Sequence, residues 1–225
     1  MVALVLPAAN YIELKQCCWR WRPLGYRIIT LCDVITLRNE GDPKDLVEKG
    51  LLEGFLLVEE YKGWYASVNR LSKLAVALGY NWVVAAGTDM DPDPHLTASH
   101  IETIATQHFA GTFGIMQPTG DPWETGGPGR AAERICGSPW LGKKLIIKSN
   151  YKVFNETFFH YYGDELLKEA SLRTGILWQN AGLSHQHRHP DREGRMKPGY
   201  LGRSWARDKQ LFESTHLSYV APWEE

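Results

Sequence analysis

The 225 residues, 44% of them hydrophobic and 23% charged, suit one globular domain with a substantial core and a small appended segment. The formal net charge of −1 singles out no partner, no run approaches the length of a membrane span, and Met1 to Ala9 lacks the basic lead-in and the length of a secretion signal. The four cysteines, Cys17, Cys18, Cys32 and Cys136, form no Cys-x-x-Cys pair, which argues against a disulfide framework and for reduced thiols in the cytoplasm.

Val2 to Leu6 is a continuous apolar run closed by Pro7, the pattern of a buried strand. Asn10 is placed to cap a helix reaching about Trp21, which Pro23 and Gly25 end. Arg27 to Cys32 predicts a second strand with Asp33 at its carboxyl end. Asp42 to Gly50 predicts a short helix, and Gly54 to Val58 a third strand. From Gly63 to Leu78 the apolar residues Tyr65, Val68, Leu71, Ala75 and Leu78 follow three-to-four spacing, the clearest helix in the chain, and Gly79 stops it. Trp82 to Ala86, short, apolar and rich in β-branched and aromatic residues, predicts a fourth strand.

Thr97 to Phe109 predicts a further helix and Gly111 to Met116 a strand. Gln117 to Arg130 is too rich in Gly and Pro to be regular, and its length reads either as a lid or binding loop or as disorder. Gly137 to Gly142 is another turn-rich piece. Asp164 starts a helix through about Arg173, closed by Gly175, and Ile176 to Trp178 is a short strand. Residues 1–190 form the domain; residues 191–225 read as a polar, basic tail without clear periodicity, packed on it or partly flexible. No internal repeat is visible.

Strands alternating with helices indicate an α/β fold of Rossmann type, a mostly parallel sheet covered by helices. Ligands of such sheets bind beyond the carboxyl ends of the strands. Asn10, Asp33 and the segment after Trp82–Ala86 all fall at that edge. In that segment Asp89, Asp91 and Asp93 alternate, and Pro92 and Pro94 push Asp91 and Asp93 toward extended geometry. Three carboxylates aimed to one side suit Mg²⁺ or Mn²⁺ shared with a phosphate. The same Asp-Pro repeat also makes an ordinary solvated turn. A helix-loop-helix calcium site is a poor fit, because Pro94 stands where it needs Gly and His100 where it needs Glu.

His185, His187 and His189 alternate likewise, as metal ligands or as a polar surface strand. Combined with the aspartates they could form a hydrolytic centre that activates water. Asp164 and Glu165 either cap a helix and suit its dipole or supply a general base. Trp123 and Trp140 fall in loops, where an aromatic ring can stack on a sugar or base. Two basic segments, one with Arg130, Arg134, Lys143, Lys144, Lys148 and Lys152 and one from Arg188 to Lys209, leave a polyanion partner open.

Four motifs together, Gly63-Trp-Tyr-Ala-Ser-Val-Asn69, Thr88-Asp-Met-Asp91, Gln117-Pro-Thr-Gly-Asp-Pro-Trp123 with Gly137-Ser-Pro-Trp140, and Asp164-Glu-Leu-Leu167 before the His-rich end, carry a resemblance. From about Val2 to His189 the chain resembles nucleotide-sugar glycosyltransferases of the GT-A fold, particularly the small glycosyltransferase-like proteins of bacteriophages. The resemblance implies that Asp89 and Asp91, with His187, hold Mn²⁺ or Mg²⁺ against the diphosphate of a nucleotide-sugar donor, a UDP-sugar by preference. Asp93 would assist, or Asp91 and Asp93 would form the pair. Pro7, Ala8, Asn10 and Asp33 fall where the family holds base and ribose; Lys62 and Asn69 approach the donor, as do Gln117 and Trp140. Asp164 or Glu165 falls where inverting members carry their base.

The acceptor the resemblance favours is a hydroxymethylated pyrimidine in phage DNA, approached through its phosphates. The competing readings are a metal-dependent hydrolase or nuclease and a non-catalytic sugar-nucleotide or nucleic-acid binding protein. A nucleotidyltransferase is disfavoured, since no Gly-rich phosphate loop with Lys follows the first strand.

Overall fold

The computed structural model describes residues 1–34, 41–121, 135–188, 192 and 199–224, with residues 199–203 described in their backbone only. Four parallel strands form one half of the sheet: β1 (Val2–Ala8), β2 (Arg27–Asp33), β3 (Gly54–Val58) and β4 (Trp82–Ala85). The other half contains β6 (Ile115–Pro118), β7 (Trp140–Gly142) and β8 (Leu177–Asn180). The order is β3-β2-β1-β4-β7-β6-β8, with β7 antiparallel to both neighbours and β6 parallel to β8. This is a single mixed α/β domain around a mostly parallel seven-stranded sheet.

Alternate strand residues feed two cores. Ala3, Val5, Ile29, Leu31, Val83, Ala85 and Leu141 face one side, under α3 (Trp64–Ala77), α5 (Lys143–Lys148) and α6 (Gly163–Arg173). Val2, Leu4, Leu6, Ile28, Trp82, Val84 and Trp140 face the other, under α1 (Tyr11–Trp21) and α4 (Ala98–His108). Both faces of these strands are covered, so they read as unbroken apolar runs. The helices start where side chains supply caps: Asn10 accepts from the Glu13 amide (2.9 Å), Asp42 from that of Lys44 at α2 (Pro43–Glu48), and Thr97 from that of His100.

Several boundaries differ from those expected. Pro7 does not close β1, which pairs with β2 through Ala8↔Cys32. The carbonyl of Val5 bonds toward β4 at Ala86, and Pro7, two residues on, faces the same side. Pairing with β4 has already ended at Val5↔Ala85, so the missing N–H of Pro7 breaks no ladder bond. The strand expected at Gly111–Met116 starts later, at Ile115, and runs to Pro118. Gly137–Gly142 is not simply a turn: Trp140–Gly142 is the antiparallel strand β7, inside the sheet between β4 and β6. The described part of the polar carboxyl-terminal stretch is largely helical. Helix α7 (Gly199–Thr215) packs Leu211 and Phe212 on the main core, and Ala221 and Trp223 are buried in it.

Candidate active site

The carboxyl edge of the parallel strands brings the expected residues together. Register aligns Ala8 with Cys32 and Asp33 with Val58, which puts Pro7, Ala8, Asn10 and Asp33 around the ends of β1 and β2. Beyond β4 the chain turns through Gly87 and Thr88 into the short strand β5 (Met90–Asp91). That strand pairs antiparallel with β9 (Gln186–His187), Met90 opposite His187 and Asp91 opposite Gln186. Asp91 and His187 therefore lie on the two strands of one short ribbon, with Asp89 and His185 beside its ends. Across it His187 Nε2 lies 3.2 Å from Asp89 Oδ2, and the Arg188 amide donates to the Asp89 carbonyl at 2.7 Å.

The other members of the two clusters have separate partners. Asp91 is ion-paired with Arg20, whose guanidinium also donates to the Thr88 carbonyl at 2.8 Å, so helix α1 clamps the aspartate turn from below. Trp21 adds a bond from its indole nitrogen to the Met90 carbonyl (2.8 Å). Asp93 is buried and accepts from the amides of His95 (2.9 Å) and Ser184 (3.1 Å). His185 is buried against the edge of Trp21, with Nδ1 3.1 Å from Ser138 Oγ. Among the described residues no three His, Cys, Asp or Glu side chains are grouped to hold a metal, which lends no support to the rival hydrolytic centre. His189, Trp123, Arg130 and Arg134 lie outside the described residues.

Burial holds the His185 imidazole far below its ordinary value, to about 3, against the opposing pull of Ser138 and Asp93. The folded state keeps it neutral, whereas the unfolded chain takes up a proton below about pH 6.5. Its contribution to stability is therefore complete above that value and is lost as pH falls toward 3. We expect this group to steepen the loss by about 1.4 kcal/mol per pH unit within that window. Denaturant titrations of the wild type and His185→Gln at several pH values check this; identical slopes would refute it.

Asp164 opens α6. Its helix is capped chiefly by the Tyr65 hydroxyl, which accepts from the amides of Gly163 (3.0 Å) and Asp164 (3.2 Å). That hydroxyl also lies 3.0 Å from Asp164 Oδ1 and 3.0 Å from the His160 carbonyl. Burial raises the Asp164 carboxyl above its ordinary range, opposed by the Tyr65 hydroxyl, nearby backbone amides and the His187 charge. A carboxylate recessed near His187 connects the start of α6 to the Asp89–His187 pair. His160, which sequence reasoning missed, belongs to the same region. Burial lowers its pKa, while Asp89 and Asp208 raise it and His187 lowers it further. No motif marks His160; only the packing of its loop brings it there.

Asp121 is a second missed residue, although it sits within one of the quoted motifs. It is almost wholly buried, pairs with Arg192 at 2.7 Å and accepts from the His187 amide at 3.3 Å, fixing the backbone of β9. Other expected donor contacts serve the fold. Trp140 is a core residue with no exposed surface rather than a loop aromatic. Asn69 is buried, donating to the Phe154 carbonyl (2.8 Å) and accepting from its amide (3.1 Å). Gln117 is buried, bonded to the Pro118 carbonyl and to the Ser138 amide. Lys62 is paired with Glu60 on the surface after β3. From the second basic segment, Arg192 pairs with Asp121, Arg207 donates to the Thr157 carbonyl, and Lys209 lies 3.7 Å from Glu213.

No protein-family model matches the sequence, and no curated protein matches it. Similarity is found in three dimensions. The fold is of the GT-A type, as two solved structures show. One is S. aureus TarS residues 1–349 in complex with UDP, at a TM-score of 0.57 and 11% identity, over 82% of this chain and 59% of that one. The other is GalNAc-T7 with UDP, GalNAc and Mn²⁺, at a TM-score of 0.61 and 9% identity, over 97% of this chain and 49% of that one. The chain thus spans about half to three fifths of these structures.

Proposed function

We propose that this chain transfers a sugar from a nucleoside diphosphate donor, by preference UDP-linked, to an acceptor hydroxyl with inversion at the sugar carbon. The observation that carries the reading is the pairing of Asp89 with His187, 3.2 Å apart, beyond the carboxyl edge of a GT-A-type sheet. Pro7, Ala8, Asn10 and Asp33 border the same edge, where a base and ribose would lie. The GT-A neighbours hold UDP, one of them with Mn²⁺, which agrees with such a donor.

Asp89 and His187, one carboxylate and one imidazole, would hold a divalent cation together with the donor's phosphates. The imidazole suits Mn²⁺ better than Mg²⁺, and Asp91 joins only by leaving Arg20. When bound, such a cation supplies positive charge against the departing diphosphate. Asp164 takes the proton of the acceptor hydroxyl, and Tyr65 holds its carboxylate in place. Arg20 and Trp21 hold the aspartate turn, and Asp121 holds the strand of His187. We keep the acceptor at the level of a hydroxyl. Of the cations that would favour DNA, Arg192, Arg207 and Lys209 are engaged with the protein's own groups.

Thermal unfolding with UDP, Mn²⁺ and both together tests the donor site. UDP with Mn²⁺ at a hundredfold excess over the dissociation constant is expected to add about 2.7 kcal/mol. Asp89→Ala is expected to abolish that gain. A shift with Mn²⁺ or Zn²⁺ alone, equal to that with UDP present, would return the protein to metal-dependent hydrolysis.

A further inference from the structure

The segment Phe159–Asp164 carries His160, which feels the charges of Asp89 and His187, and begins the helix of Asp164, yet it contains little regular structure of its own. What holds it comes from three directions. From α3, Gly63 lies against Phe159 so closely that a β-carbon there would meet the Phe159 carbonyl at 2.6 Å, and the Trp64 amide donates to that carbonyl at 2.7 Å. The Tyr65 hydroxyl contacts the His160 carbonyl and the amides of Gly163 and Asp164. The third support comes from the carboxyl-terminal helix, and it is ionic.

Asp208 of α7 has no exposed surface, and its carboxylate accepts from three consecutive amides. Those of Phe159 lie at 3.2 Å from both oxygens, His160 at 2.9 Å and Tyr161 at 3.0 Å. Successive N–H groups that point to one side make a concave anion site. Here the protein's own carboxylate fills it. Among the described residues the cation beside it is Arg207, at 3.8 Å and largely solvent-facing, while the three amides bond its carboxylate directly and compensate a buried charge. The helix is seated for this by Phe212, stacked on Tyr162 at 5.3 Å, and by Arg207, which donates to the Thr157 carbonyl at 3.1 Å.

We propose that Asp208 is a positioning residue of the active site: through these amides it sets where His160 and Asp164 stand relative to the Asp89–His187 pair. The inference rests on the glycosyl-transfer reading of that site. Asp208 itself touches no reacting group. A fold that needed only packing at this point would be served by an apolar side chain; a carboxylate imposes direction on three amides at once.

The test uses the full chain with Asp208→Asn and Asp208→Glu, with UDP and Mn²⁺ as the binding probe and the hydrolysis of UDP-N-acetylgalactosamine, in which water takes the sugar and UDP leaves, as the turnover probe. In Asp208→Asn the kcat is expected to fall by about tenfold to a hundredfold while KM and the UDP dissociation constant change by less than about threefold, because misplacement of reacting groups costs rate rather than binding. Asp208→Glu restores part of the rate, since charge is kept and only reach differs. Amide resonances of Phe159, His160 and Tyr161 are expected to lose their hydrogen-bonded shifts in Asp208→Asn, and the imidazole signals of His160 to move with them. An unchanged kcat, or an equal loss of rate and UDP affinity, overturns the proposal. So does failure of both variants to fold, which would make Asp208 a residue of the fold alone. If the wild type binds no UDP, the functional reading fails by itself. The resonances then decide: His160 imidazole signals that stay in place overturn the positioning role, and movement upholds it.

Discussion

Asp164→Asn is expected to reduce turnover by about 10³-fold while leaving UDP and Mn²⁺ binding intact, the size of effect a lost general base produces. The carboxylate is recessed, bonded to Tyr65 and near His187, but it holds no part of the aspartate turn. Its pKa is raised above the ordinary carboxylate range by burial, and a base works only when ionised. The rate should therefore rise with pH through an acid limb that lies above the usual Asp value. Tyr65→Phe removes a hydroxyl that favours the ionised form, so the limb moves to still higher pH. The stability effect has the opposite direction. A carboxyl with a raised folded pKa stabilises the fold most when protonated, and that contribution is lost as pH rises through the folded pKa. At neutral pH Asp164→Asn should thus be no less stable than the wild type. Glu165→Gln is the paired measurement: turnover that survives in Asp164→Asn and collapses in Glu165→Gln would transfer the role to Glu165.

Trp140→Ala is expected to cost about 3–5 kcal/mol of folding stability, the usual range for emptying a large buried aromatic site. The side chain is wholly buried in β7, its ring 5.8 Å from that of Tyr26, in the core that also holds Trp21 and Trp82. Equilibrium urea unfolding reads the loss directly. If stability were preserved and UDP-sugar affinity lost, Trp140 would be a donor contact and not the core residue its burial makes it. Because β7 lies inside the sheet between β4 and β6 and is only three residues long, little else can compensate there.

Much of this architecture is written locally. The three-to-four spacing from Tyr65 to Leu78, the caps at Asn10, Asp42 and Thr97, and the apolar runs of β1, β2 and β4 each depend on residues a few positions apart. The segments misread are those whose structure comes from elsewhere. Trp140–Gly142 is a strand because β4 and β6 supply hydrogen bonds on both sides, and a turn-rich triplet has no periodicity to reveal that. Lys143–Lys148 is too short to show a pattern. Helix α7 hides beneath its charges, because its most important buried residue, Asp208, is itself charged.

The sequence by itself determined the strand-helix alternation, the edge at which a ligand would sit, and the residue types gathered there: alternating aspartates, alternating histidines and an acidic helix start. Local hydrophobic periodicity and capping chemistry decide these. Only the tertiary structure decided which of those side chains meet. Asp89 faces His187, whereas Asp91 turns to Arg20, Asp93 to the Ser184 amide and His185 into the core, although each trio alternates evenly along the chain. His160 and Asp121 enter the site without any marking of their own. Pairing across about a hundred residues is set by sheet order and by the antiparallel register of β5 with β9, and no spacing within a strand encodes it.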